Sequence, residues 1–566
     1  MARAAVTPAV VEPETIPAAA SPEAALAVVG PERALALRPK RSRAWGRWWQ
    51  ALWTVLEIVL ALAAAAVLPI WAGGIDVDPL DRTGQVSGLA AVQLRFAIVA
   101  GALVAVLLLA HWLLPARHRH VIARLGCAVA AGLASGVVAA GIVVAMLGTR
   151  WALWTGGGDY TVLIDWVQML RAGQDIPDHY PPLILYIIDQ VASASDLPPR
   201  YALQGVQVAG TALFGPAAYL CWRLVLRPGW ALGIGVVAML PFIEPVKPYP
   251  QITLVMLVPV VIAFVSRIRH AGDRAWYLVV VTGLLFGAGF GLLFLLYSGW
   301  FVWVAPGVVL ATLLLVPWRA APGRALVILG CAAGVFLTIV RVHLGALFSS
   351  TGGSRDAFFY NDTETEPTYI AMWTNDREAW TGPVWPPPGE LGGVGLFTVM
   401  LAAGLGVAIW LGWRRTAVIV LVAGVASAWV TRMWLASEMY ELQLVRLYPR
   451  TTMIILYSLL ILTGLAVRYG GQALSGRAPA TGATGGPALS GLALSGRPPA
   501  AAATAPAGLL LLPLLFLFAS AGSALADRYM PDPRLNHPGY FTYVAHTIRH
   551  YDGTCPEYGE QHHLCR

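Results

Sequence analysis

Between Gly148 and Pro182 the chain reads G-T-R-W-A-L-W-T-G-G-G-D-Y-T-V-L-I-D-W-V-Q-M-L-R-A-G-Q-D-I-P-D-H-Y-P-P, a polar island in a sequence that is otherwise mostly hydrocarbon. Gly156, Gly157 and Gly158 precede Asp159. Glycine lets a backbone approach a ligand closely and take angles that other residues resist. A carboxylate behind such a stretch, at a water boundary, can take the proton of an attacking hydroxyl, so Asp159 is the candidate general base. The same position also suits a plain helix N-cap. Asp175, Asp178, His179 and Tyr180 follow within one short segment. Asp175 and Asp178 are second candidates for the base or flank the acceptor, and His179 and Tyr180, before the stiff Pro181-Pro182 pair, are candidate sugar contacts.

Cations stand elsewhere. Arg341 and His343 sit near the end of an apolar run, where an ionisable residue is costly and marks function by default. Arg446 and Arg450 in L-V-R-L-Y-P-R are four apart and share a face if that stretch is helical. Guanidinium groups bind phosphate well, so these residues are candidate phosphate contacts. Snorkelling to the headgroups is the plainer role for Arg450. The stretch 346–392 mixes aromatics with Asp, Asn, Glu and Arg, a surface suited to sugars, and Asp362 is its candidate contact. Asp362, Glu364 and Glu366 also offer oxygens to a divalent cation, without any fixed ligand spacing. No phosphate-binding P-loop, dinucleotide fingerprint or zinc motif occurs, which disfavours ATP-driven transport and soluble nucleotide-sugar chemistry. A base, cations for a leaving phosphate and apolar spans for a lipid tail are the parts needed to move a sugar off a polyprenyl phosphate.

The elements that must hold these residues are membrane helices. The composition is 57% hydrophobic and 12% charged, with a mean hydropathy of +0.66. Soluble domains carry roughly twice that charge fraction. Apolar runs at about 50–71, 92–114, 121–147, 202–222, 230–243, 251–266, 276–297, 299–317, 325–345, 393–412, 416–435, 451–467 and 507–525 predict about thirteen crossings of an all-α polytopic protein. A short segment at about 182–192 reads as an interfacial or re-entrant helix. Residues 160–171 predict an amphipathic helix lying in the interface. Its apolar face is Tyr160, Leu163, Ile164, Val167 and Leu170, with Asp165, Gln168 and Arg171 off it.

Arg38, Lys40, Arg41, Arg43 and Arg47 precede the first span and predict a cytoplasmic N-terminus, the span acting as a signal anchor. Carrying the alternation through the chain puts nearly every basic loop on that side and the long polar loops on the other. The organisation expected is a disordered N-terminus over 1–47, a transmembrane catalytic region over 48–469, a low-complexity cytoplasmic linker over 470–506, a last span over 507–525 and a short extracytoplasmic tail over 526–566. On that side disulfides persist, so Cys555 and Cys565 are expected to pair; Cys127, Cys221 and Cys331 fall inside spans. The net charge of +8 resides in short loops that set orientation, so the partner expected is a lipid bilayer and not nucleic acid.

G-G-G-D-Y with D-H-Y-P-P, then F-F-Y-N-D-T-E-T-E-P-T-Y-I-A-M-W, then L-V-R-L-Y-P-R-T-T before a late span resemble the actinobacterial galactan arabinofuranosyltransferases, polytopic enzymes of the GT-C class. The resemblance spans about residues 50–467, by pattern. It implies a GT-C-like bundle in the plasma membrane with outer-face loops, a polyprenyl-phosphate arabinofuranose donor and a cell-wall galactan acceptor, and it places Asp159 on the family's acidic residue. That family usually carries a substantial extracytoplasmic C-terminal domain, whereas only a short tail follows the last span here. The turn before the Tyr-Pro also differs, and both departures leave acceptor and sugar open. A GT-C mannosyltransferase is the neighbouring alternative; a lipid-linked saccharide transporter or flippase, or a cell-wall assembly scaffold, are the alternatives of another class. A transporter should show internal repeats and helices broken at mid-membrane, and no convincing repeat is visible.

Overall fold

A computed structural model describes residues 41–155, 158–177, 180–349, 396–442, 448–474, 507–535 and 537–566, with backbone only at 41–47, 117, 158, 159, 396, 442, 448, 449 and 507. All regular structure among these residues is helical. The long helices are α1 (Arg41–Ala72), α2 (Arg82–Leu113) and α3 (Ala116–Ala145). Then come α4 (Gly158–Arg171), α5 (Leu183–Ala194), α6 (Pro199–Trp222) and α7 (Pro228–Phe242). Next are α8 (Pro248–Arg269), α9 (Trp276–Leu296), α10 (Gly299–Leu315) and α11 (Pro322–Ser349). The last are α12 (Leu396–Gly412), α13 (Thr416–Leu442), α14 (Tyr448–Leu474) and α15 (Ala507–Asp527). Two short helices, α16 (Tyr540–Ala545) and α17 (Glu557–Gln561), lie in the tail. Among the described residues nine helices are long and apolar enough to cross a membrane: α1, α2, α3, α8, α9, α11, α13, α14 and α15. The chain is thus an all-α protein compatible with a multi-pass place in a lipid bilayer.

Two compact units divide it, Met1–Val55 and Leu56–Arg566. In the first, the described residues are the opening turns of α1, where Trp49 and Trp53 stack at 6.5 Å. That helix begins at Arg41, inside the stretch expected to be unstructured.

In the second unit α3 is the buried axis, and its Ala- and Gly-rich surface explains why. A Cβ on Gly215 of α6 would overlap the Ala131 carbonyl of α3, so the two backbones meet directly. The last long helix, α15, returns to pack on α2 and α3, while α9 packs on α11, α12 on α14 and α10 on α13. Within α7 one turn widens to a π turn over Ala231–Val236. Gly235 there lies against the Trp222 ring, which a Cβ would overlap.

The loops sort onto two ends. One end holds a buried ion cluster. Glu57, 1% exposed, accepts hydrogen bonds from Arg124 Nε (2.6 Å), Tyr219 Oη (2.7 Å) and Arg223 Nε (2.9 Å). At the same end Arg269 donates to the Arg414 carbonyl at 2.9 Å, and Arg468 lies over the Trp230 ring. The opposite end holds the Asp78, Thr149 and Glu244 loops and the tail after Asp527. This alternation of ends follows from antiparallel helices joined by short connections.

A fully bonded carboxylate among helices cannot be unpaired cheaply. We expect Glu57→Ala to cost about 3–5 kcal/mol, because it leaves two guanidinium groups without their acceptor. A thermal melt in detergent checks this; a midpoint unchanged from wild type would show that the cluster does not hold α1, α3 and α6 together.

Candidate functional site

The polar island lies at the end opposite the Glu57 cluster. Its helix α4 buries Tyr160, Leu163, Ile164 and Val167, while Asp165, Gln168 and Arg171 stay exposed. Leu170 is only half-buried. The apolar stripe packs on protein, against Ile184, Leu185 and Ile188 of α5 and Leu203 and Val206 of α6, where the sequence pattern alone had allowed a membrane interface. Arg171 pins the far end by donating to Asp189 at 2.7 Å. The same stripe would serve either surface, since periodicity says which side is apolar and not what covers it.

Asp159 is the second residue of α4, and its side chain lies outside the described residues. So do Asp178, His179, Asp362, Arg446 and the stretch 350–395. Asp175 is exposed in the turn after α4.

Tyr180 is brought to a wall of aromatic and cationic groups. Its ring lies 4.4 Å from Trp166, and its hydroxyl bonds that of Tyr249 at the start of α8. Tyr249 faces Tyr297 at 6.4 Å, and Tyr297 faces Trp300 at 5.4 Å. The half-buried Arg450, in the first turn of α14, acts on the Tyr297 phenol through its charge. Burial pushes the Tyr180 phenol up to about 12, against the pull of Tyr249 and Arg450, so it stays a neutral hydrogen-bonding group.

Arg341 and His343 are not on this wall. His343 is buried with its ring 5.6 Å from Phe294, whereas Arg341 is exposed on α11 and makes no ion pair among the described residues. Two residues apart on a helix, they must face different ways.

Glu244 completes the wall, and the sequence reading passed it over as part of a connecting loop. It is half-buried after α7 and accepts from Tyr529 Oη at 2.9 Å and from the Val246 amide at 3.2 Å. Burial raises its pKa, against Tyr529, the Val246 amide, Arg528 and Arg450, which favour the carboxylate. The available signal was E-P-V-K-P: a lone acid between prolines, just past an apolar segment too short to clear the bilayer.

Gln207 of α6, 2% exposed, ties these parts together. Its carbonyl accepts from the Leu153 amide at 2.9 Å; its amide donates to the carbonyls of Leu153 at 3.2 Å and Val246 at 3.0 Å. The segment 149–155 and the Glu244 loop therefore share one anchor. Between them Trp154 takes φ +67°, a left-handed angle rare outside glycine, with its ring stacked 4.4 Å from Phe541 of the tail. Such an angle costs roughly 1–3 kcal/mol and persists only where the surroundings enforce it.

The tail grips the same segment throughout. Thr149 donates to the Ala545 carbonyl at 2.8 Å, Trp151 Nε1 to the Ile548 carbonyl at 3.0 Å, and the Arg150 amide to His550 Nε2 at 3.2 Å. Cys555 and Cys565 form a disulfide with their Cα atoms 5.9 Å apart. Among the described residues no cluster of three or more His, Cys, Asp or Glu is placed to hold a metal.

Below the wall an apolar pocket of about 370 Å³ opens between α8, α9, α10 and α11. Leu257, Phe264, Phe290, Phe301, Val304 and Phe336 line it. Phe301 of this lining follows Trp300 in the chain.

No protein-family model matches this chain, and no curated protein does.

His546 sets how the tail responds to acid. It is fully buried, its Nε2 lies 2.9 Å from the Ala145 carbonyl, and burial lowers its pKa from 6.5 to about 4. The unfolded state then binds more protons than the folded one below the unfolded pKa. Stability from this group is complete above pH 6.5 and falls as pH drops toward 4, by roughly 3 kcal/mol in all. Melting curves across that range should show the loss in wild type and a flatter profile in His546→Gln; identical slopes would rule His546 out as the cause.

Proposed function

We propose that this chain is a glycosyltransferase of the GT-C kind, moving a sugar from a polyprenyl-phosphate donor to a cell-wall glycan at the outer face of the plasma membrane. On the sequence resemblance the sugar is arabinofuranose and the acceptor galactan. What supports the reading is a polar wall and an apolar pocket built on the same helices: Tyr180, Tyr249, Tyr297 and Arg450 gather where α8, α10 and α14 begin, and the pocket lies between α8, α9, α10 and α11. A carrier lipid needs that pairing, with a cation and hydroxyl groups for its head and hydrocarbon for its tail. Adding α6, α7, α10 and α12 to the nine long helices gives about thirteen crossings, with the N-terminus cytoplasmic and the tail outside.

In this scheme Asp159 accepts the acceptor hydroxyl's proton as its oxygen bonds the anomeric carbon. The carbon–oxygen bond to phosphate breaks, and its electron pair leaves on the phosphate, whose charge Arg450 stabilises. Arg446, with Arg450, and Asp175, Asp178, His179 and Asp362 are assigned to substrate contacts. Arg341 contributes only if a donor reaches the exposed face of α11.

Sugar transfer from radiolabelled polyprenyl-phosphate arabinose, in membranes with matched expression, tests this. Asp159→Asn is expected to abolish transfer while donor binding persists; unchanged transfer would falsify the base assignment. Arg450→Ala should raise the donor KM about tenfold, near 1.4 kcal/mol of lost binding. A change confined to acceptor KM would remove Arg450 from the phosphate.

A further inference from the structure

At the end of the bundle that holds the Glu57 cluster, the arginines fall into two groups. Arg124 and Arg223 are matched by Glu57, and Arg269 donates to the Arg414 carbonyl at 2.9 Å and to Thr416 Oγ1 at 3.1 Å. Arg415 and Arg468 have no such acceptor. The exposed Arg415, in the turn between α12 and α13, lies over the Tyr469 ring at 5.5 Å. The half-buried Arg468, near the end of α14, lies 5.8 Å from the centre of the same ring and 5.9 Å from that of Trp230, at the start of α7. Neither arginine makes an ion pair among the described residues, and Arg468 Nε is buried with no hydrogen-bond partner. The stretches that build this corner, 223–243, 396–437 and 448–474, contain no Asp or Glu.

Packing holds the two cations together. Gly412, at the end of α12, lies against Tyr469, whose ring a Cβ would overlap. The turn carrying Arg415 is thereby seated on α14, and Arg269 of α8 ties it down. A guanidinium stacked on an aromatic ring uses its face and leaves its N–H edges for an acceptor. Two such edges, without a carboxylate, suit phosphate oxygens. Trp230 and Trp413 are exposed beside them, and Trp is enriched where a helix leaves hydrocarbon for headgroups. Trp410 and Val467, also exposed, offer apolar surface one turn away, as an acyl chain requires and a free phosphate does not.

We infer that Arg415 and Arg468, beside Trp230, bind the phosphate of an anionic glycerophospholipid. The phosphate supplies the counter-charge that the protein lacks at this corner, and so holds α7, α14 and the α12–α13 turn to one another. The site lies at the opposite end from the Tyr180 wall and stands whether or not the chain transfers a sugar.

The test is native mass spectrometry of the full chain in detergent, titrated with dioleoyl phosphatidylglycerol or dioleoyl phosphatidylcholine, which counts lipids on the folded protein. Wild type should bind its first phosphatidylglycerol about tenfold tighter than phosphatidylcholine. Arg415→Gln and Arg468→Gln should each weaken that first binding about fivefold, and the pair about twenty-five-fold. Arg415 is exposed, so its single substitution decides the matter if the double variant does not fold. Arg319→Gln removes the same charge from the turn between α10 and α11 and should leave the affinity within about twofold. In a parallel melt, phosphatidylglycerol should raise the midpoint of wild type, and inorganic phosphate at the same concentration should not. Equal loss in Arg319→Gln would reduce the site to a generally basic face. That result, equal affinity for the two lipids, binding indifferent to Arg415→Gln, or stabilisation by inorganic phosphate to the same degree overturns the inference.

Discussion

One side-chain amide fixes the geometry of the functional end. Gln207 satisfies both backbone groups of Leu153 and the carbonyl of Val246 from inside α6. These groups are buried where no other secondary structure reaches them, and an unpaired buried amide or carbonyl costs about 1–3 kcal/mol. The segment before Asp159 and the segment bearing Glu244 are therefore set in one frame. Tyr180, Arg450 and Tyr529 close on that frame from three other parts of the chain.

The tail is part of this frame. Residues after Asp527 read as a polar extension, yet they supply the stacking partner of Trp154, the acceptors for Thr149 and Trp151, and the hydroxyl that bonds Glu244. The disulfide closes a loop whose Tyr558 ring lies against Gly148, a residue with φ +75°. A Cβ there would clash with the ring, so the sequence can turn at Gly148 and keep the tail seated at once. A strained Trp154, next to the fixed Leu153 and stacked on Phe541, follows from such enforcement.

Legibility in the sequence followed the range of the physics involved. The runs of the nine long apolar helices could be read because span-length hydrophobicity is a long, local signature. The stripe on α4 could be read too, but its cover could not, because α5 and α6 reach it only through tertiary packing. Tyr180 and Arg450 were picked out by type and context, while their meeting through Tyr249 and Tyr297 needed coordinates. Arg341 and His343, adjacent in the sequence argument, part company on α11 because two positions turn a helix by more than half a circle. Glu244 and Gln207 were missed for a simpler reason. A lone acid in a loop and a lone amide in a helix leave no pattern, and their weight comes entirely from what surrounds them.

The two ends of the bundle answer the same problem differently. At Glu57 both carboxylate oxygens are bonded, by two arginines and a tyrosine. At Glu244 the carboxylate has a tyrosine and an amide as bonded partners, and the arginines reach it only through the field. A matched ion cluster resists change in either partner, because any loss strands a buried charge. That difference in saturation, and not the number of charges, is what sets the two carboxylates apart.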